Sequence, residues 1–176
     1  PFVLIALPSI LAVLYARSGN EGEALKLYTR ILAVHPRYTP ALVNRARLHE
    51  RAGRAMLAVT DLEAAMAVAP ADTGIRARLA RLLLAQGKTD RARLLLADAV
   101  AEKPSDPEAR LLLAETELRA GHRTDALREL NRAAALAGDD AMLWARLSEG
   151  YRSAGDGAAA EKANSRAQPA PAARKP

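Results

Sequence analysis

Gly87, Lys88 and Thr89 stand together in "LAQGKTDRARLLL", residues 84–96, and Gly-Lys-Thr is the tripeptide that closes a phosphate-binding loop. Such a loop needs another glycine five residues earlier, so that backbone amides can cradle the phosphate. Leu82 occupies that place, inside a strongly helical run with no strand before it. The triplet therefore predicts no nucleotide hydrolase. His35, His49 and His122 are too scattered for a metal site on one helix face, and a lone helical histidine reads as a surface or packing residue. Glu115 and Glu117 lie two apart, on different sides of a helix, and so do not form an acid–base pair. With no cysteine, thiol nucleophiles, thiolate metal sites and disulfides are excluded, and no Gly-x-Ser-x-Gly elbow is present. The expectation is a chain that is not an enzyme and needs no cofactor or metal.

The elements that carry these residues follow from composition. Half of the 176 residues are apolar, yet only 3% are aromatic. Ala, Leu and Arg dominate, which lose little side-chain freedom in a helix, whereas the β-branched residues needed for a sheet are sparse. The formal net charge is +6, but 20 acidic residues interleave with 26 basic ones and no basic run exceeds a pair. That pattern does not resemble a nucleic-acid-binding arm.

A strict 34-residue period organises the chain. Glycines recur at Gly19, Gly53, Gly87, Gly121 and Gly155. Small residues hold the same step at Ala12, Ala46, Ala80, Ala114 and Ser148, and again at Ala24, Ala58, Ala92, Ala126 and Ala160. Pro36, Pro70 and Pro104 continue the phase, with Gly138 in the next place. Glycine can take the left-handed conformation that ends a helix, and proline cannot donate the next backbone bond. Each period therefore reads as two helices, with small residues where the two backbones approach. The expected helices are 7–18 and 22–35, 40–52 and 56–69, 74–86 and 90–103, 108–120 and 124–137, 142–154 and 158–167. Thr39-Pro40 and Asp106-Pro107 read as an N-cap followed by proline in the first turn, and Thr89 or Asp90 as the cap after Gly87.

A 34-residue two-helix unit resembles the tetratricopeptide repeat family. Trp144, Leu147, Tyr151, Gly155 and Ala160 match its signature in a fifth repeat; Leu11, Tyr15, Gly19, Ala24, Tyr28 and Pro36 match it in a first. Leu62, Leu96 and Leu130 stand where the family prefers an aromatic residue. Arg45 replaces an apolar leucine, and His49 and Glu117 replace tyrosine, departures expected to loosen packing at single sites. The resemblance covers residues 5 to 167 and implies an all-α, right-handed superhelical solenoid of about five helix-turn-helix repeats, 5–38, 39–72, 73–106, 107–140 and 141–167. Residues 1–6 read as an upstream apolar segment and 168–176 as a disordered Pro/Ala-rich tail.

The resemblance implies that the first helix of each repeat lines a concave groove that takes a peptide or partner helix. Carried over, the groove holds Asn44, Arg47 and Arg51, then Arg78 and Arg81, then Glu115 and Arg119, and last Arg146, Glu149 and Arg152. Arg47 and Arg81 lie 34 residues apart, so they occupy equivalent places; arginines stacked there with few acids nearby would favour carboxylates or phosphates. The chaperone-binding carboxylate clamp of the family matches only at Asn44 and Arg78, since Ser9, Val13 and Gly74 replace its other members. The expected function is a protein-interaction scaffold, with a membrane-linked assembly factor or a regulatory module of a larger enzyme or DNA-binding protein as alternatives.

"PFVLIALPSILAVLYA", residues 1–16, is too short to span a membrane and carries Pro8 in its middle. It reads as a first repeat helix entered through Pro8, able to dock through its apolar surface on an upstream helix, a partner or a membrane segment. Glu161, Lys162, Asn164 and Gln168 make the last helix polar, as the end of an array requires. The compartment, cytoplasmic or periplasmic, is not written in the composition.

Overall fold

A computed structural model of the chain describes residues 2–168, residues 2–6 by their backbone alone. Among them are ten helices and no strand: α1 (Phe2–Arg17), α2 (Glu21–Val34), α3 (Thr39–Arg51), α4 (Ala55–Val68), α5 (Thr73–Ala85), α6 (Thr89–Glu102), α7 (Pro107–Arg119), α8 (Arg123–Leu136), α9 (Ala141–Ser153) and α10 (Gly157–Ala167). Contacts cluster in two compact units divided between Leu82 and Leu83, within α5.

The small-residue series sit where the helices meet. Ala12, Ala46, Ala80 and Ala114 on the first helices are wholly buried, as are Ala24, Ala58, Ala92 and Ala126 on the second. In the fifth repeat the two series touch: Ser148 Oγ on α9 donates to the Ala160 carbonyl of α10, 2.8 Å away. The joints repeat as well. Gly87 has φ +73°, a left-handed conformation that side chains disfavour, and the Lys88 amide reaches back to the Leu83 carbonyl at 2.9 Å. The same six-residue closure runs from Asn20 to Tyr15, Arg54 to His49, His122 to Glu117 and Asp156 to Tyr151. Gly-Lys-Thr is thus one copy of a helix-to-helix turn.

Three local expectations need correction. Thr39 and Thr89 do not cap: each is the first residue of its helix, after Tyr38 and Lys88 in the cap position, neither of which makes a side-chain capping bond. The period sets these boundaries, and each threonine stands one place too late. Asp106 does cap, accepting from the Glu108 and Ala109 amides; Asp140 and Asp156 cap α9 and α10 in the same way. Second, α1 does not enter through Pro8 near residue 7. It starts at Phe2 and carries Pro8 inside, because Phe2 holds the register place that Pro36, Pro70, Pro104 and Gly138 use to break the chain. The tail beyond Gln168 lies outside the described residues.

Third, two departures from the repeat signature, Arg45 and Glu117, find partners rather than loosening the packing. In the first unit, Arg45 on α3 makes two parallel bonds to the buried Asp61 of α4, Nε to Oδ2 at 2.8 Å and Nη2 to Oδ1 at 2.6 Å. His49 packs beside them, its Nε2 4.0 Å from Asp61 Oδ2. In the second unit, Arg110 of α7 bonds Glu129 of α8 at 2.7 Å and the Pro104 carbonyl at 2.8 Å. Asp61 and Glu129 share one register place, which Leu27 and Leu95 fill in other repeats. An apolar contact between the two helices has twice been replaced by a bidentate or doubly anchored ion pair.

Removing one member of a buried pair strands the other charge, whereas replacing both by apolar residues is often neutral or better. Asp61→Leu is expected to cost about 2–4 kcal/mol. The double variant Arg45→Leu/Asp61→Leu, which copies the residues at Leu79 and Leu95, should recover most of that loss in urea denaturation. His49 supplies a pH dependence. Burial holds its pKa below the ordinary 6.5, outweighing the attraction of Asp61, so the unfolded chain takes up the proton first. The stability it contributes is complete above pH 6.5 and is lost as pH falls through the lowered folded value. His49→Tyr, matching Tyr15 and Tyr151, should flatten the fall in unfolding midpoint between pH 6.5 and 5; an unchanged slope would assign it to other groups.

Candidate protein-interaction face

In the first unit the expected groove residues fall on two first helices. Asn44, Arg47 and Arg51 occupy one face of α3 at i, i+3 and i+7, and Arg78 and Arg81 sit at i and i+3 on α5. Asn44 is half-buried, and Arg47, Arg51 and Arg81 are exposed. The two helices are tied side by side through Arg78, which donates to Glu50 Oε1 of α3 at 2.7 Å and to the Val43 carbonyl at 3.4 Å. Arg51 pairs with Glu21 of α2. Arg47 lies near enough to Tyr28 to oppose the upward shift that burial gives the phenol.

The second unit repeats the arrangement with different charges. Arg146 of α9 reaches α7, donating to Glu108 at 2.5 and 2.7 Å and to Glu115 at 2.8 Å. Burial works against its charge, but the two carboxylates outweigh that and hold its pKa up. Glu149 pairs with Arg152 one turn along α9, and Arg119 of α7 donates to the Leu84 carbonyl at 3.4 Å. Register mates thus differ in sign: Arg47 and Arg81 in the first unit correspond to Glu115 and Glu149 in the second.

The expectation of arginines with few acids nearby therefore fails for Arg51, Arg78, Arg146 and Arg152. Each is held by a carboxylate that the sequence reading left out of the site or, for Glu115 and Glu149, counted as a separate groove member. Arg78 bound to Glu50 also speaks against a carboxylate clamp built on Asn44 and Arg78.

His122, read as isolated, lies against two acids. Its Nδ1 is 2.7 Å from Glu117 Oε2, and one ligand atom each from Glu117, His122 and Asp125 falls within 4.8 Å of the others. The His–Glu hydrogen bond and the pairing of Asp125 with Arg128 at 2.7 Å account for this cluster. It sits at the α7–α8 joint, where Glu117 takes the register place of Tyr15 and Tyr151.

With this geometry in place, comparison with known proteins assigns the class. One family profile described as tetratricopeptide repeat matches residues 51–115 and 83–149, and a second with the same description matches 11–74. The chain belongs to the tetratricopeptide repeat family, whose members are in general non-catalytic scaffolds for protein–protein interaction. Among curated proteins it is 35% identical over 137 residues to cellulose synthase operon protein C of Xanthomonas axonopodis pv. citri (strain 306), a match covering 73% of this chain and 9% of that protein. The chain therefore spans less than one-tenth of the length of that relative. Among solved structures, it is similar to a tetratricopeptide repeat protein from Parabacteroides merdae, with 24% identity, a TM-score of 0.79, and coverage of 94% of this chain and 66% of that one. A thermophilic tetratricopeptide repeat protein of Thermus thermophilus, TTC0263, gives 25% identity, a TM-score of 0.71 and coverage of 93% and 89%. MamA from Desulfovibrio magneticus RS-1 gives 18%, 0.77, and 93% and 92%. No helix among the described residues is long and apolar enough to cross a membrane.

The Arg146 bridge is about one-third exposed at all three members, so its net contribution is small. Arg146→Leu, copying its register mate Leu112, should lower stability by less than about 1 kcal/mol in urea denaturation. A loss several times larger would mean that the α7–α9 contact depends on charge rather than on apolar packing.

Proposed function

We propose that the array is a non-enzymatic scaffold that takes an acidic peptide or partner helix along the first helices of its repeats. The observation that carries this reading is the pair Arg47 and Arg81, exposed and one register apart on α3 and α5, helices that the Arg78–Glu50 pair holds side by side. Two guanidiniums at matched places suit a ligand that presents carboxylates at the spacing of adjacent repeats. Arg51, Arg78 and Arg146 are engaged by carboxylates, which a ligand would have to displace to reach them.

A second reading comes from the curated relative, whose name places it in a cellulose synthase operon. On that reading the array is a segment of a much longer repeat protein that serves a polysaccharide synthase. Attachment to a membrane-linked assembly, or to a larger enzyme as a regulatory module, fits the same length relation.

A displayed library of random dodecapeptides, panned on the full chain at low salt, tests the groove. Acidic peptides should be enriched, and Arg47→Glu/Arg81→Glu should weaken their binding by about tenfold or more, the scale of one or two charge-assisted contacts. Enriched peptides that bind the double variant unchanged would refute the assignment of this face.

A further inference from the structure

The first repeat leaves open a surface that the later repeats largely cover. Leu7 is 66% exposed and Leu14 54%. The register mates of Leu7 are Ala41, Ile75, Ala109 and Leu143, none more than 6% exposed. Those of Leu14 are Leu48 at 2%, the half-buried Leu82, Thr116 at 0% and the buried Gly150. The same positions on the same kind of helix thus pass from more than half exposed to buried, or half-buried at Leu82.

What seals them is visible in the second unit. The Leu130 side chain of α8 stands 2.7 Å from where a Cβ on Gly150 would lie, at Leu14's place. Leu143, at Leu7's place, is buried in one cluster with Ala133 of α8 and Ala137 just beyond its end. The cover is therefore the second helix of the preceding hairpin, applied through a Leu-x-x-Ala ridge. That ridge recurs as Leu62–Ala65 and Leu96–Ala99 on α4 and α6. Beside the open face runs an apolar groove of about 730 Å³ between α1 and α2, lined by Leu7, Pro8, Leu11, Leu27, Ile31 and Val34 among others. It exists because Pro8 holds the place that Leu42, Arg76, Arg110 and Trp144 fill with long side chains.

We propose that this face is a repeat-to-repeat interface and that its occupant is the second helix of a further hairpin of the same kind, preceding α1 in the same polypeptide. The occupant presents a Leu-x-x-Ala ridge, its Leu over Leu14 and its Ala over Leu7. Two observations support that source. The array's own α6 and α8, which carry that ridge, pack on α7 and α9, and α2 packs on α3 with Tyr28 and Ile31 at the same places; the curated relative carries its matching stretch within a far longer chain. A second copy docking through α10 fits poorly, since Glu161, Lys162, Asn164 and Arg166 are exposed there and their charges would be desolvated. The proposal is independent of the groove on the first helices, and its test does not involve Arg47 or Arg81.

The test is a fusion in which residues 107–140 are copied directly before Ile5, which keeps the 34-residue step across the junction. The fused hairpin should abolish the binding of an apolar dye to the parent and raise the unfolding midpoint by about 5 °C or more, as a few kcal/mol of interface would in a chain of this size. Leu14→Glu, and separately Leu7→Glu, should leave the parent's midpoint unchanged because both sites are exposed there, and should remove the gain in the fusion. A fusion with unchanged midpoint and dye binding would overturn the proposal. So would a parent that sediments as a dimer and becomes monomeric as Leu14→Glu, which assigns the face to a second copy. Parent binding to phosphatidylglycerol vesicles that Leu14→Glu abolishes would overturn it in favour of a lipid surface.

Discussion

The close approach of two helix backbones inside each 34-residue unit is the constraint on which everything else rests. Ala12 and Ala24, and their counterparts along the chain, are buried, and a larger side chain at either place would force the hairpin apart. Once the hairpin is closed, the glycine joint, the caps and the first-helix faces all have fixed places. The large apolar residues then fill what the backbones leave: Leu62, Leu79, Leu96, Leu111, Leu130 and Leu147 are essentially sealed. Side-chain identity on the outer face of the first helices is thereby freed from packing. That is why register mates there range from arginine to glutamate while the inner places hardly vary.

This separation decides where recognition can be read. Arg47 and Arg81 stand exposed on the first helices, whereas Arg45 and Arg110 sit between helices and are bound by Asp61 and Glu129. Arg78 and Arg146 are intermediate cases, lateral ties between neighbouring first helices. The same residue type therefore serves as core substitute and as tie, and also stands exposed, and only position within the repeat distinguishes the three.

The period made the hairpins, the glycine turns and the buried alanines legible in the sequence, because each rests on a local backbone requirement repeated five times. Thr39 and Thr89 were misplaced as caps because residue preference was followed where phase decides. The acid partners of the groove arginines were missed for a different reason. Glu108 and Glu115 flank position 112, one repeat before Arg146, by about a turn on each side, so a search one period back would have found them. Glu50 lies six residues past the corresponding place for Arg78, within reach only through the length of an arginine side chain. The exposed face of α1 could be named apolar from sequence, but what covers such a face became visible only by following its register mates into the later repeats.

The ion pairs inside the hairpins have a consequence for how the chain finds its fold. Five nearly equivalent hairpins invite shuffled partners, since any first helix could close on any second one with alanine against alanine. Arg45 changes that for α3: on α6 it would meet Leu95 instead of Asp61 and be left as an isolated charge in an apolar seam. Asp61 equally makes α4 a poor partner for α5, which has Leu79 at the place of Arg45. The pairs bar α3 from α6 and α4 from α5, so fewer wrong closures remain in a chain whose other inner contacts are interchangeable.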